Sequence, residues 1–147
     1  MWHPDVTVAA ICEKDGRFLI VEERSKSTGE IVLNQPAGHI EDGEGIIDAA
    51  KREMLEETCC HFTPSALTGL YRLRTAQQKT YIRYAFCGQA SKVDTTVTLD
   101  SDIIDTHWLS LVELEAKDNL RSELVLRSIY DFIAGNRYPL DILKDLS

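Results

Sequence analysis

Apolar and polar positions alternate through the first quarter of the chain in a way that predicts strands. Val6–Glu13 is apolar and rich in β-branched residues, and Arg17–Arg24 follows it across Lys14-Asp15-Gly16; Asp-Gly between two such runs predicts a hairpin. Ile31–Leu33 is a shorter strand candidate, closed by Asn34-Gln35-Pro36, where proline interrupts regular pairing. From Ile46 to Thr58 the period lengthens, with Ile47, Ala50 and Met54 at i, i+3 and i+7 on one helical stripe. Just before it, Asp42 and Glu44 place negative charge where a helix amino terminus favours it. Gly38, Gly43 and Gly45 make the approach a flexible loop able to bring backbone close to a ligand.

Beyond Pro64 the two-residue period returns. Ala66–Thr75 and Lys79–Cys87 read as strands, and in the second Tyr81, Arg83, Ala85 and Cys87 alternate with Thr80, Ile82, Tyr84 and Phe86. Ile103–Leu109 is a further strand after the acidic turn Asp100-Ser101-Asp102. A last helix is predicted from about Ser122 to Ala134, presenting Val125, Ile129, Phe132 and Ile133 on one face, with Gly135 as its cap and Pro139 preventing resumption. No repeat, linker or low-complexity stretch breaks the order of strands, helix, strands, helix. The expectation is therefore a single domain over residues 1–147, mixed α/β, with helices packed on a sheet.

Composition changes this picture little. At 147 residues, 44% hydrophobic and 27% charged, the chain has an ordinary globular profile and needs no stapling device. No apolar run approaches membrane-spanning length, and residues 1–15 lack the parts of a signal peptide, so the expected location is cytoplasmic. Cys12, Cys59, Cys60 and Cys87 show no metal-site spacing and are expected to be reduced, buried thiols. The net charge of −8 argues against a nucleic-acid polymer as partner. An acidic protein meets an anionic substrate only with a cation between them.

Candidate chemistry lies on the first predicted helix. Glu53, Glu56 and Glu57 stand at i, i+3 and i+4, within roughly a quarter of the helix circumference. Like charges so spaced destabilise an isolated helix by roughly 0.2–0.5 kcal/mol per pair, so they call for open solvent or a bound cation. Taken alone, these three residues fit a solvated face at least as well as a metal site. Three neighbours change the balance: Arg52, able to orient a carboxylate, Glu44 at the loop–helix junction, and a glycine-rich loop whose carbonyl is a hard ligand for Mg²⁺.

Gly38, Glu44, Arg52-Glu53-Met54 and Glu56-Glu57 together resemble the Nudix box, and every spacing and every charged position fits. One position departs: Cys59 stands where the box has a second glycine. A left-handed backbone there would cost a cysteine roughly 1–2 kcal/mol. Further segments, among them His3-Pro4-Asp5-Val6-Thr7, Leu33-Asn34-Gln35-Pro36-Ala37-Gly38-His39 and Asn119-Leu120-Arg121-Ser122, look like the bacterial NudJ-like phosphatase branch of that family.

The resemblance implies an α/β/α sandwich with a mixed central sheet and a loop–helix–loop metal site. It implies Mg²⁺, or Mn²⁺, held by Glu53, Glu56, Glu57 and the Gly38 carbonyl. Glu53 is then the first candidate for general base, oriented by Arg52, with Glu44 fixing the loop; Asp100, Asp102 and Asp105 remain in play for the base, although a solvated turn explains them better and they are not counted in the site. Asn34, Gln35, His39 and Arg74 are candidates for substrate binding, and Arg72, Lys79 and Arg83 are further cations of which one or two could hold phosphate, although surface solvation explains any single one better; Trp108 has a better case as a core residue than as a base-stacking one. The implied activity is hydrolysis of small diphosphates: nucleoside tri- and diphosphates, and substrates of the hydroxymethylpyrimidine pyrophosphate type, with release of phosphate. Two alternatives stay open, a pyrophosphohydrolase of dinucleotides or nucleotide sugars and a non-catalytic ligand-binding module. A monomer or a homodimer is expected.

Overall fold

The computed structural model describes residues 1–146. β1 (Asp5–Lys14) and β2 (Arg17–Arg24) form the predicted hairpin, and Asp15 (φ 53°) and Gly16 (φ 77°) both adopt the positive φ that a tight two-residue turn requires. β3 (Ile31–Asn34) and β4 (Ala37–His39) precede α1 (Ile46–Thr58). β5 (Phe62–Arg74), β6 (Thr80–Ala90) and β7 (Ile103–Ser110) lead into α2 (Leu111–Glu115) and α3 (Leu124–Ile133), and a short 3₁₀ turn at Leu140–Ile142 follows.

The strands form one mixed sheet in the order β3-β2-β1-β6-β5, with β1 and β6 parallel and the other pairs antiparallel. β1 changes partner along its length. Thr7, Val8 and Ala9 pair with β4, whereas Glu13 and Lys14 pair with β2. β2 and β4 therefore diverge from the same strand, and β2 carries β3 and β7 with it. The functional side chains gather in this divergence.

Alternation along β1 builds a core on each face. Val8, Ala10 and Cys12 pack with Ala49, Ala50 and Met54 of α1 and with Phe86, while Ile11 packs with Ile20, Ala85 and Cys87 against Ile129 of α3. One helix on each face of a mixed sheet is the expected sandwich. Ala49 and Ala50 are small and fully buried, which lets α1 lie close on the sheet.

Several boundaries differ from the sequence expectation. Gly38 is not part of a flexible loop but lies in β4 opposite Val8; only Gly43 of the three approach glycines has a positive φ, at 76°. β5 begins at Phe62 and runs through Pro64, because it is an edge strand and Pro64 adjoins a bulge, where a missing N–H is tolerated. α2 was not expected, although Ser110 and Glu113 form a capping box whose Ser-x-x-Glu spacing is visible in the sequence. In α3 the buried residues are Leu124, Val125, Ser128 and Ile129, and Ile133 is exposed: eight residues beyond Val125 it has rotated by about 80° off the stripe. Trp108 is 37% exposed rather than a core residue. All four cysteines are buried free thiols, and burial pushes the Cys12 thiol up to about 12.

Candidate active site

α1 brings the glutamates together and Arg52 sets their positions. Its Nε donates to Glu44 Oε2 at 2.6 Å and its NH2 to Glu44 Oε1 at 3.0 Å, a bidentate fork that ties the 41–44 loop to the helix. NH1 donates to Glu53 Oε1 at 2.8 Å and Glu56 Oε2 at 3.2 Å, and NH2 also reaches the His39 carbonyl at 3.0 Å. Glu44 accepts the Glu41 N–H as well, at 3.1 Å. One guanidinium thus fixes loop, strand end and two carboxylates.

Glu57 points the other way and is buried, its Oε1 accepting the Ala37 N–H at 3.0 Å. Burial raises its pKa well above the ordinary carboxylate range, and the neighbouring Glu53 and Glu23 add to the rise. Glu53 is raised too, chiefly by burial, although its hydrogen bonds with Glu57 and Arg52 oppose this. Both carboxyls therefore hold a proton more tightly than free carboxylates do. Gly38 lies flat against Glu53: a Cβ there would meet its carboxylate, which would have to move aside for any larger residue. Glu56 stands further out, its side chain 46% exposed.

The donors at this point are all hard oxygens, with Glu57 buried and Glu53 half-buried beside it, which suits a divalent cation of the Mg²⁺ type. Among the described residues no three His, Cys, Asp or Glu side chains close into a ready-made cage; Arg52 instead engages Glu53 and Glu56.

The comparisons with known proteins agree with this geometry. The NUDIX domain model matches residues 1–129. Phosphatase NudJ of Escherichia coli (strain K12) is 36% identical over 147 residues, covering 100% of this chain and 95% of the relative. The chain belongs to the Nudix family. Among solved structures, a Nudix hydrolase from Nitrosomonas europaea superposes with a TM-score of 0.93 at 47% identity, covering 98% of both chains. The MutT protein of Methanosarcina mazei Go1, at 21% identity, shares the fold with a TM-score of 0.75 over 93% of this chain and 99% of that one. The protein is a Nudix hydrolase acting on phosphorus-containing anhydrides.

At the departing position of the Nudix box, Cys59 does adopt the left-handed conformation, at φ 60° and ψ 19°. Its N–H donates to the Leu55 carbonyl, its carbonyl accepts the Asp94 N–H at 2.7 Å, and its thiol donates to the Val97 carbonyl at 3.5 Å. These contacts hold a backbone that glycine would adopt freely.

The outer candidates separate. His39 is exposed on the divergence side, with Nε2 at 3.4 Å from Asp5 Oδ2. Asn34 is buried at the end of β3, and its Oδ1 has no partner. Gln35 is not presented to a ligand: its amide N–H groups bond the Val125 carbonyl at 2.9 Å and Ser128 Oγ at 3.2 Å, tying β3 to α3. Arg74 is not brought to the carboxylates either, because β5 lies across β1 and β6 from β4; its NH1 donates to Thr80 Oγ1 at 3.2 Å. The acidic turn comes close, with the Asp100 N–H donating to the Glu56 carbonyl at 2.8 Å and Asp102 pairing with Lys26 at 3.1 Å.

Two residues, Glu23 and Arg121, enter the gathering that sequence reasoning did not assign, and Arg83, one of the cations weighed there for phosphate binding, joins them. Glu23, at a bulge in β2, pairs with Arg121 at 3.0 Å and lies electrostatically beside Glu53, Glu57 and Arg83. The available signals were the glutamate pair Glu22-Glu23 following the four buried strand residues Phe18–Val21, and Arg83 in the alternating set of Ala85 and Cys87.

Proposed function

We propose that the protein is a Mg²⁺-dependent hydrolase of small diphosphates, which releases phosphate from nucleoside tri- and diphosphates and from pyrophosphates of the hydroxymethylpyrimidine type. The observation that carries this reading is the neighbouring carboxyls of half-buried Glu53 and buried Glu57, with Glu53 set against Gly38 and aligned by Arg52. NudJ of Escherichia coli, a phosphatase by name and 36% identical over the full chain, favours release of phosphate over internal cleavage.

In this reading Glu53, Glu56, Glu57 and the Gly38 carbonyl hold the cation. When bound, Mg²⁺ neutralises the diphosphate and lowers the pKa of water. The protein's own contribution is positional. Arg52 keeps Glu53 in one rotamer, so that the carboxylate accepts a proton from the attacking water at a fixed place. Glu44 holds the loop so that Gly38 stays against Glu53. Water attacks phosphorus directly, and no covalent enzyme intermediate forms.

The test is product identification. Purified protein in excess Mg²⁺ is offered nucleoside di- and triphosphates, hydroxymethylpyrimidine pyrophosphate and dinucleotides. Orthophosphate from the first two classes, abolished by EDTA and restored by Mg²⁺, is expected. Turnover of dinucleotides alone, or full activity in chelator, contradicts the proposal.

A further inference from the structure

The chemistry above leaves one buried charge without a task. Arg83 stands on β6 opposite Thr7, on the side of the sheet that Ala85 and Cys87 give to the α3 core. The residue is 8% exposed, and its Nε and NH1 are closed off from solvent and donate to no group of the protein. A buried guanidinium with idle donors is a costly arrangement that folded proteins avoid unless something uses it.

The nearby carboxylates do not use it. Glu23 gives Oε1 to Arg121 at 3.0 Å, and Glu57 gives Oε1 to the Ala37 N–H at 3.0 Å. Yet both lie close enough to favour the Arg83 charge, while Arg121 and burial oppose it and bring its pKa down to about 10, so the group stays cationic at neutral pH. Arg121 has a side chain 38% exposed, Glu23 14%, and Arg83 lies deepest. The divergence between β2 and β4 thus holds carboxyls on the α1 side and two guanidiniums of graded depth beside them.

We propose that Arg83 is the seat of a substrate phosphate: its idle Nε–H and NH1–H, on two edges of the guanidinium, each donate to an oxygen of the diphosphate, which enters past the Glu23–Arg121 pair. A phosphate suits these donors because its oxygens accept hydrogen bonds and carry the charge that the buried cation lacks. The assignment rests on the phosphoanhydride reading and deepens it by naming the residue that holds the anionic group.

Two variants test it, Arg83→Lys, which keeps the charge and loses the Nε–H and NH1–H donors, and Arg83→Met, which keeps the length and loses both. The probe is methylenediphosphonate, a diphosphate mimic that cannot be hydrolysed, titrated by calorimetry in Mg²⁺ alongside steady-state kinetics and thermal melts. Both variants are expected to bind it roughly 10- to 100-fold more weakly, as loss of charge-assisted hydrogen bonds entails, with KM rising more than kcat falls. The ligand-free melting temperature is expected to hold in Arg83→Lys and to hold or rise in Arg83→Met, which no structural role predicts. Wild-type affinity for the diphosphonate in Arg83→Lys overturns the assignment, whether or not Arg83→Met folds. Weaker binding of nucleoside substrates with diphosphonate binding intact also overturns it, by moving Arg83 to the base. A wild-type protein that neither binds the diphosphonate nor releases phosphate removes the phosphoanhydride reading itself.

Discussion

Cys59 sits at φ 60° one residue past the end of α1, a conformation that disfavours every residue with a Cβ. Its weak thiol bond to Val97, at 3.5 Å, returns little of that strain. Cys59→Gly is therefore expected to stabilise the protein by about 0.5–1 kcal/mol, the relief of strain outweighing the added freedom of the unfolded chain. Urea melts check this, and a loss of stability in Cys59→Gly would show that the thiol contact matters more than the backbone. Glu57 poses the opposite problem, a residue kept at the expense of stability. Glu57→Gln is expected to lower kcat by at least about 100-fold, the scale of losing one electrostatic group at a reacting centre. The same variant should match or exceed the metal-free wild type in melting temperature, because a buried ionisable group has gone. At this scale the box was legible because six charged or glycine positions had to coincide. Glu23 was not assigned, and Arg83 could not be singled out from Arg72, Arg74 and Lys79, because a charged residue in a strand reveals its partners only when the strands are assembled.

Within α1, a single arginine links elements that the sequence separates. Arg52 reaches Glu44 in the loop, the carbonyl of His39 at the end of β4, and Glu53 and Glu56 on its own helix. Lysine supplies one charge but not five donors in a fork. Arg52→Lys should therefore fold and still bind the cation, with kcat reduced roughly 10- to 100-fold and KM little changed, since what is lost is the position of Glu53. A KM effect without a kcat effect would assign Arg52 to substrate instead. Gln35 works between elements in another way, joining β3 to α3 through two buried hydrogen bonds. Gln35→Ala is expected to cost about 1–3 kcal/mol in denaturant melts while leaving KM unchanged. Continuous apolar runs bounded by a turn signal made β1 and β2 readable, and periods of two and about 3.6 made β6 and α1 readable. β4 escaped because three residues carry no period, and its pairing with β1 is a long-range choice.

Across the whole molecule, the divergence of β2 and β4 from β1 concentrates carboxyls in a protein that already carries a net charge of −8. Nothing in the linear pattern shows this divergence, because it follows from β1 pairing with different strands at its two ends. Its consequence is a linkage between pH, metal and stability. Burial raises Glu57, Glu53 and Glu23 above the ordinary carboxylate value, so the folded state retains protons that the unfolded chain has released. The sign follows directly: where the native state binds more protons, stability falls as pH rises. These groups therefore favour the metal-free fold most at and below about pH 4.3 and withdraw that contribution as pH climbs through their raised values. Glu44 acts oppositely, since Arg52 depresses it; its contribution is present above the ordinary value and disappears in acid. A divalent cation competes for the same oxygens as the protons, so its binding releases them and strengthens with pH. In EDTA the melting temperature should decline between about pH 5 and about pH 8, and the rise produced by Mg²⁺ should grow over the same interval. Glu57→Gln should flatten the slope in EDTA and shrink the Mg²⁺ response. A Mg²⁺-induced rise of constant size across that interval would mean that the cation does not meet these carboxyls, and the metal site would then have to be sought elsewhere in the divergence.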